Sequence, residues 1–151
     1  MNITGSFTLP APLETTWDFL LDMERLGPCM PGVESVEALD DRTYRGMLKV
    51  QVGPIKAGFS GKATLDQVDP LSRLVATIEA DDRGNASSVK GSFVAELQAA
   101  PEGTRVDYTF SITLRGRLAQ FGAPVFSAVA RKMTDQFVAC LEEALGQATS
   151  S

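Results

Sequence analysis

The stretch TRVDYTFSITLRGRLAQFGAPVFSAVARKMTDQFVACLEEAL, Thr104–Leu145, changes its hydrophobic period part-way along, and that change decides the fold. In its first part Val106, Tyr108, Phe110, Ile112 and Leu114 alternate with Arg105, Asp107, Thr109, Ser111, Thr113 and Arg115, as in a strand with one apolar face. From Phe126 the apolar residues step by three and four through Ala130, Met133, Phe137, Cys140, Leu141 and Ala144, which is the spacing of one helix face. Pro124 suits the first turn of a helix but not its interior. The spacing therefore predicts a main helix over Pro124–Leu145, about 33 Å long, with Leu118–Phe121 as a lead-in turn. Residues 147–151 read as a frayed tail after a single domain over 1–146.

Working back from that stretch, five more segments have strand character: Val33–Leu39, Thr43–Val52, Ile55–Val68, Leu71–Ala80 and Ala86–Ala99. The connectors DDRT, GP, DP, DDRGN and PEG are short and turn-forming, which implies antiparallel neighbours and not helical crossovers. A first strand over Asn2–Leu9 ends at Pro10 and Pro12, and Leu13, Trp17, Leu20 and Leu21 then recur at helical spacing. In DMERLGPCMPG, Asp22–Gly32, glycine and proline allow one more helical turn before an irregular connection, the first candidate for a cavity rim. The expected class is α+β, with a curved, seven-stranded antiparallel sheet gripping the terminal helix and one or two short helices after strand one. Glycines 46, 53, 58, 61, 84 and 91 fit bends and bulges in the sheet, or the lining of a ligand space.

Composition removes many chemistries. The 151 residues contain no histidine and two cysteines, which excludes His-based triads, imidazole relays and His-containing metal sites, and supplies no CxxC pair. Cys29 and Cys140 are expected to be reduced structural thiols, because no export signal precedes them. A net charge of −5 opposes nucleic acid as a partner. The start MNITGSFTLP lacks the basic and apolar regions of a signal peptide, so a cytoplasmic protein is expected. Glu14, Asp18, Asp22 and Glu24 form an acidic cluster without paired geometry, and Ser87 and Ser88 have no histidine to activate them. No catalytic, cofactor-binding or metal-ligating set emerges.

Binding residues are more legible. Between Leu118 and Ala130 only Gln120 and Ser127 carry polar side chains, so ordinary amphipathicity is missing. A buried first half of the helix, a cavity wall or apolar gate, and a dimer or membrane-contact surface all fit this pattern. The cavity candidates are Trp17, Phe59, Phe93, Tyr108, Phe110, Phe121, Val125, Val129 and Met133. For Trp17 and its neighbour Phe19, plain core packing is the competing reading. Met23, Cys29, Met30 and Pro31 are gate candidates beside the irregular connection. Arg115, Arg117 and Gln120 could orient a ligand carbonyl or meet an acidic partner, against the alternative of simple exposure.

Three stretches carry a resemblance over nearly the whole chain: TTWDFLLDMERLGPCMPGVESVE (Thr15–Glu37), VQVGPIKAGFSGKATL (Val50–Leu65) and RGRLAQFGAPVFSAVARKMTDQF (Arg115–Phe137). The sequence resembles the CoxG family of carbon monoxide dehydrogenase subunits, within the START-like or Bet v 1-like lipid-binding domains. Pro31 and Gly32 match the family's entry into strand two, Gly53 and Pro54 its tight turn, and Leu118, Gln120, Phe121 and Gly122 the motif opening the last helix. The resemblance implies a helix-grip fold and carriage in place of catalysis, with no intrinsic cofactor and a quinone or lipid-like molecule as ligand. The partners it implies are a molybdenum hydroxylase and a peripheral contact at the inner face of the cytoplasmic membrane, and a homodimer is compatible with it. A ligand-free docking factor and an enzyme acting on a hydrophobic small molecule are the alternatives.

Overall fold

The structure is a computed structural model that describes residues 2–149, with side chains described up to Gly146. β1 (Asn2–Leu9) leads into α1 (Leu13–Leu21) and α2 (Met23–Leu26), and a 3₁₀ turn at Gly27–Cys29 follows. The strands β2 (Val33–Ala38), β3 (Thr43–Val52), β4 (Ile55–Asp69), β5 (Arg73–Asp82), β6 (Ser87–Ala100) and β7 (Gly103–Gly116) come next. A second 3₁₀ turn, Arg117–Phe121, opens α3 (Ala123–Thr149). One seven-stranded sheet has the order β1-β7-β6-β5-β4-β3-β2, a meander with β1 added antiparallel to β7. This is the expected helix-grip architecture. The helical backbone extends past the expected Leu145 to Thr149, and residues 150–151 of the expected tail lie outside the described residues.

Close approach of strands accounts for one pair of the anticipated glycines. Gly46 and Gly61 face each other across β3 and β4, and a Cβ on Gly61 would lie 2.6 Å from the Ala80 Cα of β5. Register shifts between Val33 and Ser35 and between Leu65 and Gln67 add curvature nearby. None of the six anticipated glycines lines the cavity described below, so theirs is a backbone role.

The core is divided into two clusters. One gathers Leu9, Ala11, Trp17, Phe19, Leu26, Leu97 and Val106 around the last turns of α3, where Leu141 and Leu145 are fully buried. Two buried hydroxyls reinforce this end: Thr16 Oγ1 and Thr104 Oγ1 both donate to the Ala11 carbonyl, at 3.3 Å and 2.8 Å. The other cluster joins Val52, Ala57, Phe59 and Leu118 beneath the opening turn of α3. The accessible surface is 8674 Å², above the roughly 7,500 Å² that size scaling gives a compact chain of this mass. That excess accords with a concave sheet face that one helix leaves partly uncovered.

The cysteines correct the expectation of reduced thiols. Cys29 and Cys140 form a disulfide, with Cα atoms 5.3 Å apart, which ties the turn after α2 to α3. Their remoteness in sequence concealed a direct packing contact. The sequence separation is 111 residues, and closing so long a loop restricts the unfolded chain by roughly 2–4 kcal/mol in typical cases. Replacing both cysteines with alanine should therefore lower the unfolding free energy by about 2–4 kcal/mol, as read by chemical denaturation. Thiol titration of the unfolded, unreduced protein should find no free cysteine, and two free thiols would refute the pairing.

Candidate functional site

Between the two core clusters, α3 spans the concave face of the sheet without filling it. The space left is a cavity of about 710 Å³, within the roughly 300–1,000 Å³ range of small-molecule sites. β7 supplies Val106, Tyr108, Phe110, Ile112 and Leu114, the alternating face recognised in the sequence. Ile3 and Phe7 continue that face on β1, while α3 contributes Phe126, Val129, Ala130, Met133 and Phe137. Phe7, Tyr108, Phe93 and Phe110 form a run of aromatic rings with successive centroids 5.8, 6.5 and 5.9 Å apart. Such separations permit favourable ring contacts.

Among the described residues none that lines the cavity carries a charge, and Tyr108, Thr113 and Thr134 contribute the hydroxyl-bearing side chains. Thr134 Oγ1 already donates to the Ala130 carbonyl at 2.8 Å. Thr113 is exposed and shares strand parity with Arg115 on the outer face. The cavity can therefore desolvate an apolar molecule but offers no counter-ion to a buried carboxylate, phosphate or ammonium.

Of the residues anticipated from sequence, Phe59, Phe93, Tyr108, Phe110, Val129 and Met133 line this cavity. Trp17 does not: it is 5% exposed and belongs to the cluster around the end of α3. Phe121 and Val125 pack against the cluster at the other end, with Phe121 close to the Gly53 turn. Pro31 is the one gate candidate in the lining; Cys29 is held in the disulfide and Met23 packs on the first cluster. Met30 is half-buried outside the lining. Arg115, Arg117 and Gln120 are exposed and do not reach the cavity, and Arg115 instead borders a shallow outer groove with Asp81 and Arg83. The sequence reading missed Leu20 of α1 and Leu26 of α2, which also line the cavity.

The entry to α3 is fixed by a polar chain that sequence reading did not anticipate. Asp82, buried at the end of β5, accepts from the Gly58 N–H at 3.0 Å and from Asn85 Nδ2 at 2.6 Å. Ser87 Oγ donates to the Asn85 carbonyl and accepts from the Leu118 N–H, both at 2.9 Å. Gly116 at φ 96° and Gly122 at φ 83° supply the left-handed backbone on either side of the 3₁₀ turn. Leu118 is thereby seated in the core and α3 starts over the cavity.

The side-chain hydrogen bond from Asn85, supported by the Gly58 N–H, holds the Asp82 carboxyl below its usual pKa despite burial. Its stabilising effect is complete above the ordinary carboxylate pKa and is lost as pH falls through the lower folded value. Asp82→Asn should reduce the melting temperature at neutral pH, with the difference from the parent shrinking below about pH 4. Melting curves between neutral and strongly acidic pH would measure this, and a constant difference would argue against the carboxylate.

These features coincide with a family assignment. The sequence matches CoxG, described as a subunit of carbon monoxide dehydrogenase, over residues 5–146. The chain belongs to the CoxG family. That family is one of accessory subunits associated with the carbon monoxide dehydrogenase system. No curated protein sequence matches the chain significantly. Among solved structures, a conserved protein from Geobacillus kaustophilus is 20% identical at a TM-score of 0.89, covering 97% of this chain and 96% of its own. A START superfamily protein from Mycobacterium smegmatis is 12% identical at a TM-score of 0.76, with 97% of each chain covered. Ara h 8.0201 is 17% identical at a TM-score of 0.69, covering 97% of this chain and 98% of its own. At these identities the likeness establishes the START and Bet v 1-like fold that this CoxG member shares with them.

Among the described residues no helix is long and apolar enough to cross a membrane, and no group of three or more metal-ligating side chains occurs.

Proposed function

We propose that this CoxG-family chain is a non-catalytic carrier of a long, uncharged apolar molecule, a quinone or neutral lipid. It presents the molecule to a carbon monoxide dehydrogenase-type molybdenum hydroxylase and assists that enzyme's recruitment to a membrane. The observation that carries the proposal is the cavity of about 710 Å³, in which no described lining residue carries a charge. Apolar burial contributes on the order of 25 cal/mol per Å², so an isoprenoid or alkyl chain can bind through desolvation and shape. Ionised headgroups would lose hydration without gaining a partner, which favours quinones and neutral lipids over fatty acids and phospholipids. The family's association with carbon monoxide dehydrogenase supports the choice of partner.

Native mass spectrometry of gently purified protein, followed by solvent extraction, should recover an uncharged apolar ligand. A long-chain quinone added to stripped protein should raise its melting temperature. Val129→Trp introduces a ring into the lining; removal of about 60 Å² of ligand contact would weaken binding roughly tenfold. No ligand on extraction together with no response to added quinone would reject carriage. Copurification of a molybdenum hydroxylase with Val129→Trp protein, undiminished and ligand-free, would favour the docking-factor reading.

A further inference from the structure

We infer that Tyr108 reads the head of the ligand, donating its phenolic hydrogen to an uncharged carbonyl oxygen, and that Gly5 exists to hold the phenol in place. The assignment rests on the carrier reading and sharpens it from an apolar ligand to a long apolar molecule with a carbonyl head. Tyr108 and Gly5 are direct partners across β7 and β1, so their side-chain positions share the concave face. A Cβ at position 5 would lie 2.7 Å from Tyr108 Cζ, with the hydroxyl oxygen closer still. Glycine therefore lets the ring lie across β1, where Ile3 and Phe7 of the same face also line the cavity. Phe7 and Phe93 flank that ring.

The other hydroxyls fail as head readers because Thr134 is engaged by its own helix and Thr113 shares the outward strand parity of Arg115. Among the described residues no hydrogen bond engages the Tyr108 hydroxyl, which lies over Gly5 of β1 on a residue of the otherwise largely hydrocarbon lining. It is thus a donor in a site that supplies no charge. A carbonyl can accept that hydrogen bond without the desolvation penalty of an ion. Exposed Arg115, Arg117 and Gln120 cannot perform this task from outside the cavity.

The test compares a decyl-substituted 1,4-benzoquinone with decylbenzene, a hydrocarbon of similar shape, by competitive displacement of an apolar fluorophore from intact protein. Tyr108→Phe removes a hydroxyl that has no hydrogen-bond partner among the described residues, and an unchanged melting temperature will verify that the variant is intact. It should weaken the quinone about three- to tenfold while leaving decylbenzene unchanged. Infrared difference spectra should show the bound quinone's carbonyl stretch moving to higher frequency in Tyr108→Phe, a signature that packing alone would not produce. Gly5→Ala, which displaces the ring, should reproduce the selective loss. Equal weakening of both ligands, or no weakening of either, overturns the Tyr108 assignment while leaving carriage standing. Failure of both ligands to bind the parent protein overturns carriage and the assignment together.

Discussion

A single α-helix is too narrow to fill the hollow of a seven-stranded sheet, and the rest of this structure follows from that mismatch. Six interstrand spacings amount to roughly 29 Å, whereas a helix with its side chains is about 10–12 Å across. Curvature reduces the difference without removing it. Apolar side chains therefore close the ends of the hollow in two separate clusters, and α3 roofs the space between them.

Such a helix cannot draw its stability evenly from the sheet. Its later turns are secured by fully buried Leu141 and Leu145 and by the bond from Cys140 to Cys29. Its opening is secured differently, by Leu118 in the second cluster and by the polar chain from Asp82 through Asn85 and Ser87. Long-range covalent linkage and local hydrogen bonding thus serve the same geometric end. Both hold a helix over a space that ordinary side-chain packing does not occupy.

Most of the fold was legible because its signals are local. The alternation at Val106–Leu114 identified the concave face of β7, short turns specified an antiparallel meander, and the spacing from Phe126 to Ala144 identified α3. The site was legible only in part, because facing inward does not distinguish residues bordering a void from residues filling a core. Phe59, Phe93, Tyr108 and Phe110 border the void, but Trp17 packs beneath the end of α3, a position set by the path of α1. Nor could sequence spacing reveal that the turn after α2 meets α3 and brings Cys29 to Cys140. Arg115, Arg117 and Gln120 lie beside the lead-in motif in sequence, yet strand parity and the 3₁₀ turn leave them outside.

Side-chain size keeps the middle of the molecule open. Leucines fill the ends, where Leu9, Leu118, Leu141 and Leu145 are wholly buried, but Ala80, Ala95, Ala119, Ala123, Ala130 and Gly122 border the cavity. Larger apolar residues at several of these positions would occupy much of the space at native packing density. The chain instead combines small residues on both walls with fixed attachments at each end of α3. A ligand that fills the gap supplies the contacts the protein leaves unmade, so it stabilises the folded state by RT ln(1 + [L]/Kd) without requiring rearrangement of either end cluster. On the proposed carrier reading, carriage and folding stability are linked through the same surfaces, and the uncharged lining favours molecules that can surrender water without surrendering the solvation of an ion.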